Sequence, residues 1–205
     1  MRKITLIIIT ILACFKLHAS QPAPYRTGDL IFQDLDCGGL CDAIETVTES
    51  YKDYRFSHIG MVYINKGDTM VIEAIGKGVR LTPVDSFLNR TTVNVHGRLK
   101  KKYRHLIKEA IDFSLKKLGT AYDDEFLYDN GKYYCSELLY DAFKYANNGQ
   151  PFFTLEPMTF KQPGTGDFFP VWKAYYEKLG VSIPEGKPGC NPGGLSRSGK
   201  IEIIR

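Results

Sequence analysis

Tyr133-Tyr134-Cys135-Ser136-Glu137-Leu138-Leu139-Tyr140-Asp141-Ala142-Phe143-Lys144-Tyr145-Ala146 sets a cysteine at the head of an amphipathic helix. Leu138, Leu139, Ala142, Phe143 and Ala146 recur three and four residues apart, the spacing of one apolar helix face. Cys135 falls in that register, so its sulfur points to the core side of the first turn. Upstream, Asp129-Asn130-Gly131 is a turn signal, and Asn147-Asn148-Gly149 ends the helix. A thiol at this position stands among unpaired backbone N–H groups at the positive end of the helix dipole, which favours thiolate. The same N–H groups suit an oxyanion forming on a carbonyl that the sulfur attacks. A structural cysteine capping a core helix fits this segment equally well, so the deciding residues have to be sought upstream.

Ser57-His58-Ile59-Gly60-Met61-Val62-Tyr63-Ile64 alternates as a strand, with His58, Gly60, Val62 and Ile64 on one face. Asn65-Lys66-Gly67-Asp68 is a hairpin turn, and Thr69-Met70-Val71-Ile72-Glu73-Ala74-Ile75 returns beside it. A turn centred near Lys66 and Gly67 sets Glu73 level with the segment from Ser57 to Tyr63. A carboxylate inside the apolar run Val71-Ile72-Glu73-Ala74 needs a partner once buried, and His58 is the nearest one. Cysteine catalysis needs a nucleophile, a base and a group that orients the base. Cys135, His58 and Glu73 supply these three roles. The Cys135 backbone N–H is one oxyanion donor, and Tyr122 and Tyr134 are candidates for a second. His96, on a strand from Thr91 to Arg98, is the rival base. His105 lies off the apolar stripe of a helix from Tyr103 to Leu118 and is expected in solvent.

Met1-Arg2-Lys3 followed by Ile4 to Ala13 reads as a secretory signal peptide, too short for a transmembrane helix and covering residues 1–20. Leu17-His18-Ala19 is one cleavage site. Ile11-Leu12-Ala13-Cys14 resembles a bacterial lipobox and is the other, with Cys14 lipidated. Both place the protein outside the cytoplasm, in the periplasm or cell envelope, and limit membrane attachment to the signal peptide or a lipid anchor. Residues 21–205 suit one domain with a sizeable core. The net charge of +4 is scattered. The basic run Arg98 to Arg104 reads as a solvated helix face, and no basic groove with interleaved aromatics points to nucleic acid.

Cys37 and Cys41 flank two glycines. They are compatible with no covalent role, with a disulfide in an oxidising compartment, or with a metal site that lacks a matching second pair. A short helix is expected near Ile44 to Ser50. Asp123-Asp124-Glu125 reads as a solvated loop, with recognition of a cationic substrate group as the sharper alternative. Beyond Gly149 the Pro-, Phe- and Gly-rich chain, with a helix from Val171 to Leu179, reads as a covering layer that shapes one wall of a pocket. Cys190 has no polar framework that would make it catalytic.

Gly28-Asp29-Leu30-Ile31-Phe32, Ser57 to Val62, Val71-Ile72-Glu73-Ala74, Tyr122-Asp123 and Tyr134 to Leu138 together resemble the permuted papain-like amidases, the YiiX/YebB-type branch of the NlpC cysteine hydrolases. The resemblance spans residues 25–146 in one order. It implies an α+β fold, a circularly permuted papain-like core in which an antiparallel β-sheet or barrel packs against helices. It also implies that Cys135, His58 and Glu73 occupy the catalytic positions. No metal or cofactor is expected. The expected activity is hydrolysis of an amide in a peptide or aminoacyl substrate, with cell-wall peptides as the expected source. Lecithin-retinol-acyltransferase-type proteins are similar in core, which makes lipid acyl chemistry the alternative. A peptide-binding module without turnover is the third reading.

Overall fold

The computed structural model describes residues 25–204, so the expected signal peptide and Cys14 lie outside the described residues. Six strands form one antiparallel sheet: β1 (Leu30–Gln33), β2 (His58–Asn65), β3 (Asp68–Ile75), β4 (Gly78–Pro83), β5 (Asn94–Leu99) and β8 (Ile201–Ile204), in the order β4-β3-β2-β1-β5-β8. The sheet is open, with β4 and β8 as its edges, so the barrel alternative is not what forms. The backbone of residues 119–121 covers the β4 edge: Val79 N donates to Thr120 O and Gly119 N to Val79 O, each at 2.9 Å. The approach is close enough that a Cβ on Gly78 would lie 2.0 Å from Thr120 O. That contact delivers the chain to Tyr122.

The β2–β3 hairpin turns where the sequence predicts. Lys66 and Gly67 both take positive φ (50° and 95°), the geometry that matches the twist of the flanking strands, and Asn65 pairs with Asp68. The register runs through Met61 opposite Ile72. One pair further on, Glu73 stands level with Gly60, diagonal to His58.

Alternation along the strands gives the sheet two faces. Leu30, Phe32, Ile59, Met61, Ile72 and Ala74 pack on one side against α3 (Ile107–Lys116) and α4 (Cys135–Ala146), through Ala110, Ile111, Leu138, Leu139, Ala142 and Phe143. Ile31, Val62 and Val71 pack on the other side beneath Val84 and Phe87 of α2 (Val84–Leu88). A smaller core joins α1 (Gly39–Thr46) to α5 (Pro170–Leu179) through Ala43, Phe160, Trp172 and Tyr176.

Several expected boundaries move. The helix placed near Ile44 to Ser50 is α1, which starts earlier in the chain, and Cys37, just before it, is disulfide-bonded to Cys41 in its first turn. That disulfide resolves the three alternatives for the pair. The stretch from Tyr103 to Leu118 divides into a 3₁₀ turn (Lys101–Leu106) and α3, leaving His105 exposed as expected. The two-residue strands β6 (Glu156–Pro157) and β7 (Pro188–Gly189), with α6 (Pro192–Ser196), organise the C-terminal third. No helix among the described residues is long and apolar enough to cross a membrane.

Candidate active site

Cys135 is the first residue of α4 and is buried, 6% exposed. Its helix starts there for reasons of local chemistry. Glu137, three residues past the N-cap Tyr134, turns its carboxylate back to accept from the Tyr134 and Asp129 backbone N–H groups (3.5 and 3.0 Å). Burial, with the charges of Asp123 and Asp141, pushes the Glu137 carboxyl up to about 8 against those hydrogen bonds.

His58 opens β2 and is also buried. Its Nε2 lies 2.7 Å from Glu73 Oε2, which leaves Nδ1 to face the Cys135 thiol. Burial opposes charging of this imidazole. The interactions with Cys135 and Glu73 outweigh it and push the pKa up to about 9.

Glu73 is fully enclosed. Burial opposes its ionisation, but Arg90, His58 and Thr82 hold the carboxyl well below the usual range. Arg90 donates Nη1 to Oε2 at 2.7 Å and Nη2 to Oε1 at 2.6 Å, and the Thr82 hydroxyl donates to Oε1 at 2.5 Å. Sequence reasoning missed both partners. Thr82 had a signal: Arg80 and Thr82 alternate on β4, the strand beside β3, and share Glu73's face. Arg90 had none, because it lies past α2 in a connection without periodicity.

The expected alternatives fall elsewhere. His96 pairs with Asp29 (Nε2 to Oδ2, 2.7 Å), and Arg98 binds the same carboxylate through Nε and Nη2 at 2.7 Å each. Of the two tyrosines, Tyr134 is turned to Cys190: its hydroxyl accepts from the Cys190 backbone N–H at 3.2 Å and lies 4.0 Å from Cys190 Sγ. Tyr122 lies close enough to feel the Cys135 charge, and its hydroxyl has no hydrogen-bond partner among the described residues. Asp123 is spent on structure, accepting from the backbone N–H groups of Glu125 and Leu127 (3.0 and 2.7 Å). Between them Phe126 is held at φ 54°, a conformation a bulky residue rarely adopts, with its ring against Tyr122, Tyr134 and Trp172.

A cleft of about 870 Å³ opens beside Cys135. Tyr122, Phe126, Phe153, Met158, Phe160 and Trp172 form its apolar wall, and Arg197 and Lys200 also line it. The C-terminal third therefore does shape one side. Its segment around Cys190 is pinned by both neighbours of Cys135: Tyr134 through its hydroxyl, and Ser136, whose Oγ donates to Cys190 O at 3.0 Å. Burial pushes the Cys190 thiol well up.

Comparison with known proteins matches residues 24–205 to the profile of the permuted papain-like amidase enzymes, YaeF/YiiX, C92 family. The chain belongs to this family. Membership makes it a permuted papain-like protein and points to cysteine hydrolase activity. The uncharacterised protein YiiX of Escherichia coli strain K12 is 29% identical over 147 residues, covering 69% of this chain and 67% of YiiX. A crystal structure described as the metalloprotein YiiX of Escherichia coli O157:H7 superposes with a TM-score of 0.68 over 88% of this chain and 96% of that one, at 22% identity. At that identity the likeness speaks for the fold. The family profile runs to the last residue, so it takes in the region past residue 150, about which the core motifs say nothing.

Proposed function

We propose that this protein is an exported cysteine amidase that cleaves an amide in a peptide or aminoacyl substrate through Cys135, His58 and Glu73. The observation that carries the reading is His58 held between a buried carboxylate at 2.7 Å and a thiol at the first residue of a helix. His58 takes the Cys135 proton, and the thiolate attacks the carbonyl carbon. The oxyanion is met by the Cys135 backbone N–H and the Tyr122 hydroxyl. Collapse breaks the C–N bond, and His58 gives its proton to the leaving amine, leaving a thioester. Water, deprotonated by His58, attacks that thioester and releases the acid and the free thiol. Glu73 stays ionised throughout, fixing the ring and supporting the imidazolium.

Export is supported by the apolar N-terminal stretch and by the Cys37–Cys41 disulfide, a bond that persists in oxidising compartments. A second reading, acyl transfer or hydrolysis on lipids, is favoured by one observation: the aromatic wall of the cleft suits an apolar acyl group better than the charged peptides of cell wall. The relative described as a metalloprotein raises the question of a metal here. Among the described residues no group of three or more His, Cys, Asp or Glu side chains is arranged to hold one, and both nitrogens of His58 are committed.

The test is alkylation by iodoacetamide with mass-spectrometric assignment, Cys190 serving as the internal control. Selective labelling of Cys135, slowed in a His58→Ala variant, is expected. Screening peptide amides against long-chain acyl amides and esters then separates the two readings, with turnover lost in Cys135→Ala. Labelling of Cys135 at the same rate with and without His58 would sink the mechanism.

A further inference from the structure

Glu73 receives more cationic and hydroxyl donors than orienting one imidazole requires. Arg90 takes both of its oxygens in a fork, Thr82 adds a hydroxyl, and Arg80 stands at 3.5 Å from Oε1. Arg90 is the one placed to matter for chemistry. Its guanidinium lies 5.2 Å over the Phe87 ring, and the same ring lies 5.6 Å from that of His58. Phe87 is fully buried, so it supports the clamp and the imidazole from one side.

We propose that Arg90 is a positioning residue for His58: it fixes the Glu73 carboxylate in the orientation that holds the ring, and its charge limits how tightly the imidazolium is stabilised. The inference rests on the cysteine mechanism above. Its physical basis is that a bidentate guanidinium–carboxylate pair is geometrically rigid. A positive charge behind the carboxylate also offsets part of the field that carboxylate exerts on the ring. The charged and titratable groups facing the His58–Glu73 pair are Cys135 from α4, Arg80 from β4, and Arg90 from the connection after α2, with the neutral Thr82 hydroxyl beside them. Only Arg90 is both charged and doubly bonded to Glu73. Arg80 is half exposed and makes a single longer contact.

Charge and clamp separate experimentally, and no substrate is needed. The readout is the rate of Cys135 alkylation by iodoacetamide against pH. Arg90→Lys keeps the charge and loses the fork, so the plateau rate falls about tenfold, the size of an ordinary coupling within one hydrogen-bond network, while both limbs of the profile stay in place. Arg90→Met loses both, so the plateau falls and both limbs move to higher pH by about one unit, because a nearby positive charge has gone. A profile for Arg90→Met that superimposes on the parent overturns the proposal. Should Arg90→Met fail to fold, Glu73→Gln and the double variant Glu73→Gln/Arg90→Met decide it. A residue that acts through Glu73 adds little to the plateau loss in that background, and full additivity overturns the proposal. If the parent Cys135 itself shows no dependence on His58, it is the cysteine mechanism that fails, a separate result.

Discussion

Replacing Glu73 by Gln tests the electrostatics of the site most directly. The imidazole of His58 rises from the usual 6.5 to about 9, a difference worth about 3 kcal/mol at 1.36 kcal/mol per pH unit. Burial works against that rise, and Cys135 and Glu73 together produce it. The substituted glutamine is neutral, and Arg90 then faces the ring without its counter-charge, so both changes push the same way. The alkaline limb of Cys135 alkylation should move down by about one pH unit, to near pH 8. Stability changes as well. The Glu73 side chain is wholly buried and Arg90 is 21% exposed, so breaking the pair costs about 3 kcal/mol, the low end for a buried ion pair. The pH dependence has a definite sign. A carboxyl whose folded pKa is depressed contributes stability that is present above its unfolded value and lost as pH falls through the folded one. Urea unfolding of the parent should therefore weaken progressively below about pH 4.5, and Glu73→Gln should lack that part of the acid dependence. An alkaline limb that stays at the parent's pH would refute the assignment of Glu73 as the group supporting the imidazolium.

Other changes test the remaining parts of the site. Tyr122→Phe should lower turnover about a hundredfold with little change in thermal stability, as expected for one oxyanion donor; equal loss in kcat and melting temperature would make it structural. Cys41→Ser opens the Cys37–Cys41 loop and should cost about 2 kcal/mol in denaturant unfolding under oxidising conditions, with no difference from the parent once both are reduced. Gly60→Ala puts a Cβ 2.4 Å from Val71 Cγ1 and 3.0 Å from Phe87 Cε2, so it should destabilise by about 2 kcal/mol and disturb His58 on the same strand. Unchanged melting and alkylation profiles would show that the Phe87 side yields more easily than its packing suggests.

The Cys135 helix, the β2–β3 hairpin and the α5 helix were legible because each is a local periodicity closed by its own punctuation. Apolar residues three and four apart, a Lys66-Gly67 turn and a left-handed Gly180 all act within a few residues of chain. The hairpin also brought Glu73 beside His58, since a tight turn fixes register and register fixes neighbours. What the tertiary structure decided is everything that depends on groups far apart in sequence and without periodicity. Arg90 reaches Glu73 only because α2 folds across one sheet face. Tyr134, in contrast, turns its hydroxyl to the backbone N–H and sulfur of Cys190, a contact across 56 residues. Of the two tyrosine candidates, only packing could say which was still free. The disulfide followed the same logic: spacing allowed three fates for Cys37 and Cys41, and the chain's entry into α1, which brings their Cα atoms to 5.4 Å, selected one. Local pattern thus determines which elements form and what chemistry they carry, because those energies are summed over neighbours along the chain. The charge balance around His58 is set in space, by side chains that only the packed sheet and helices bring together.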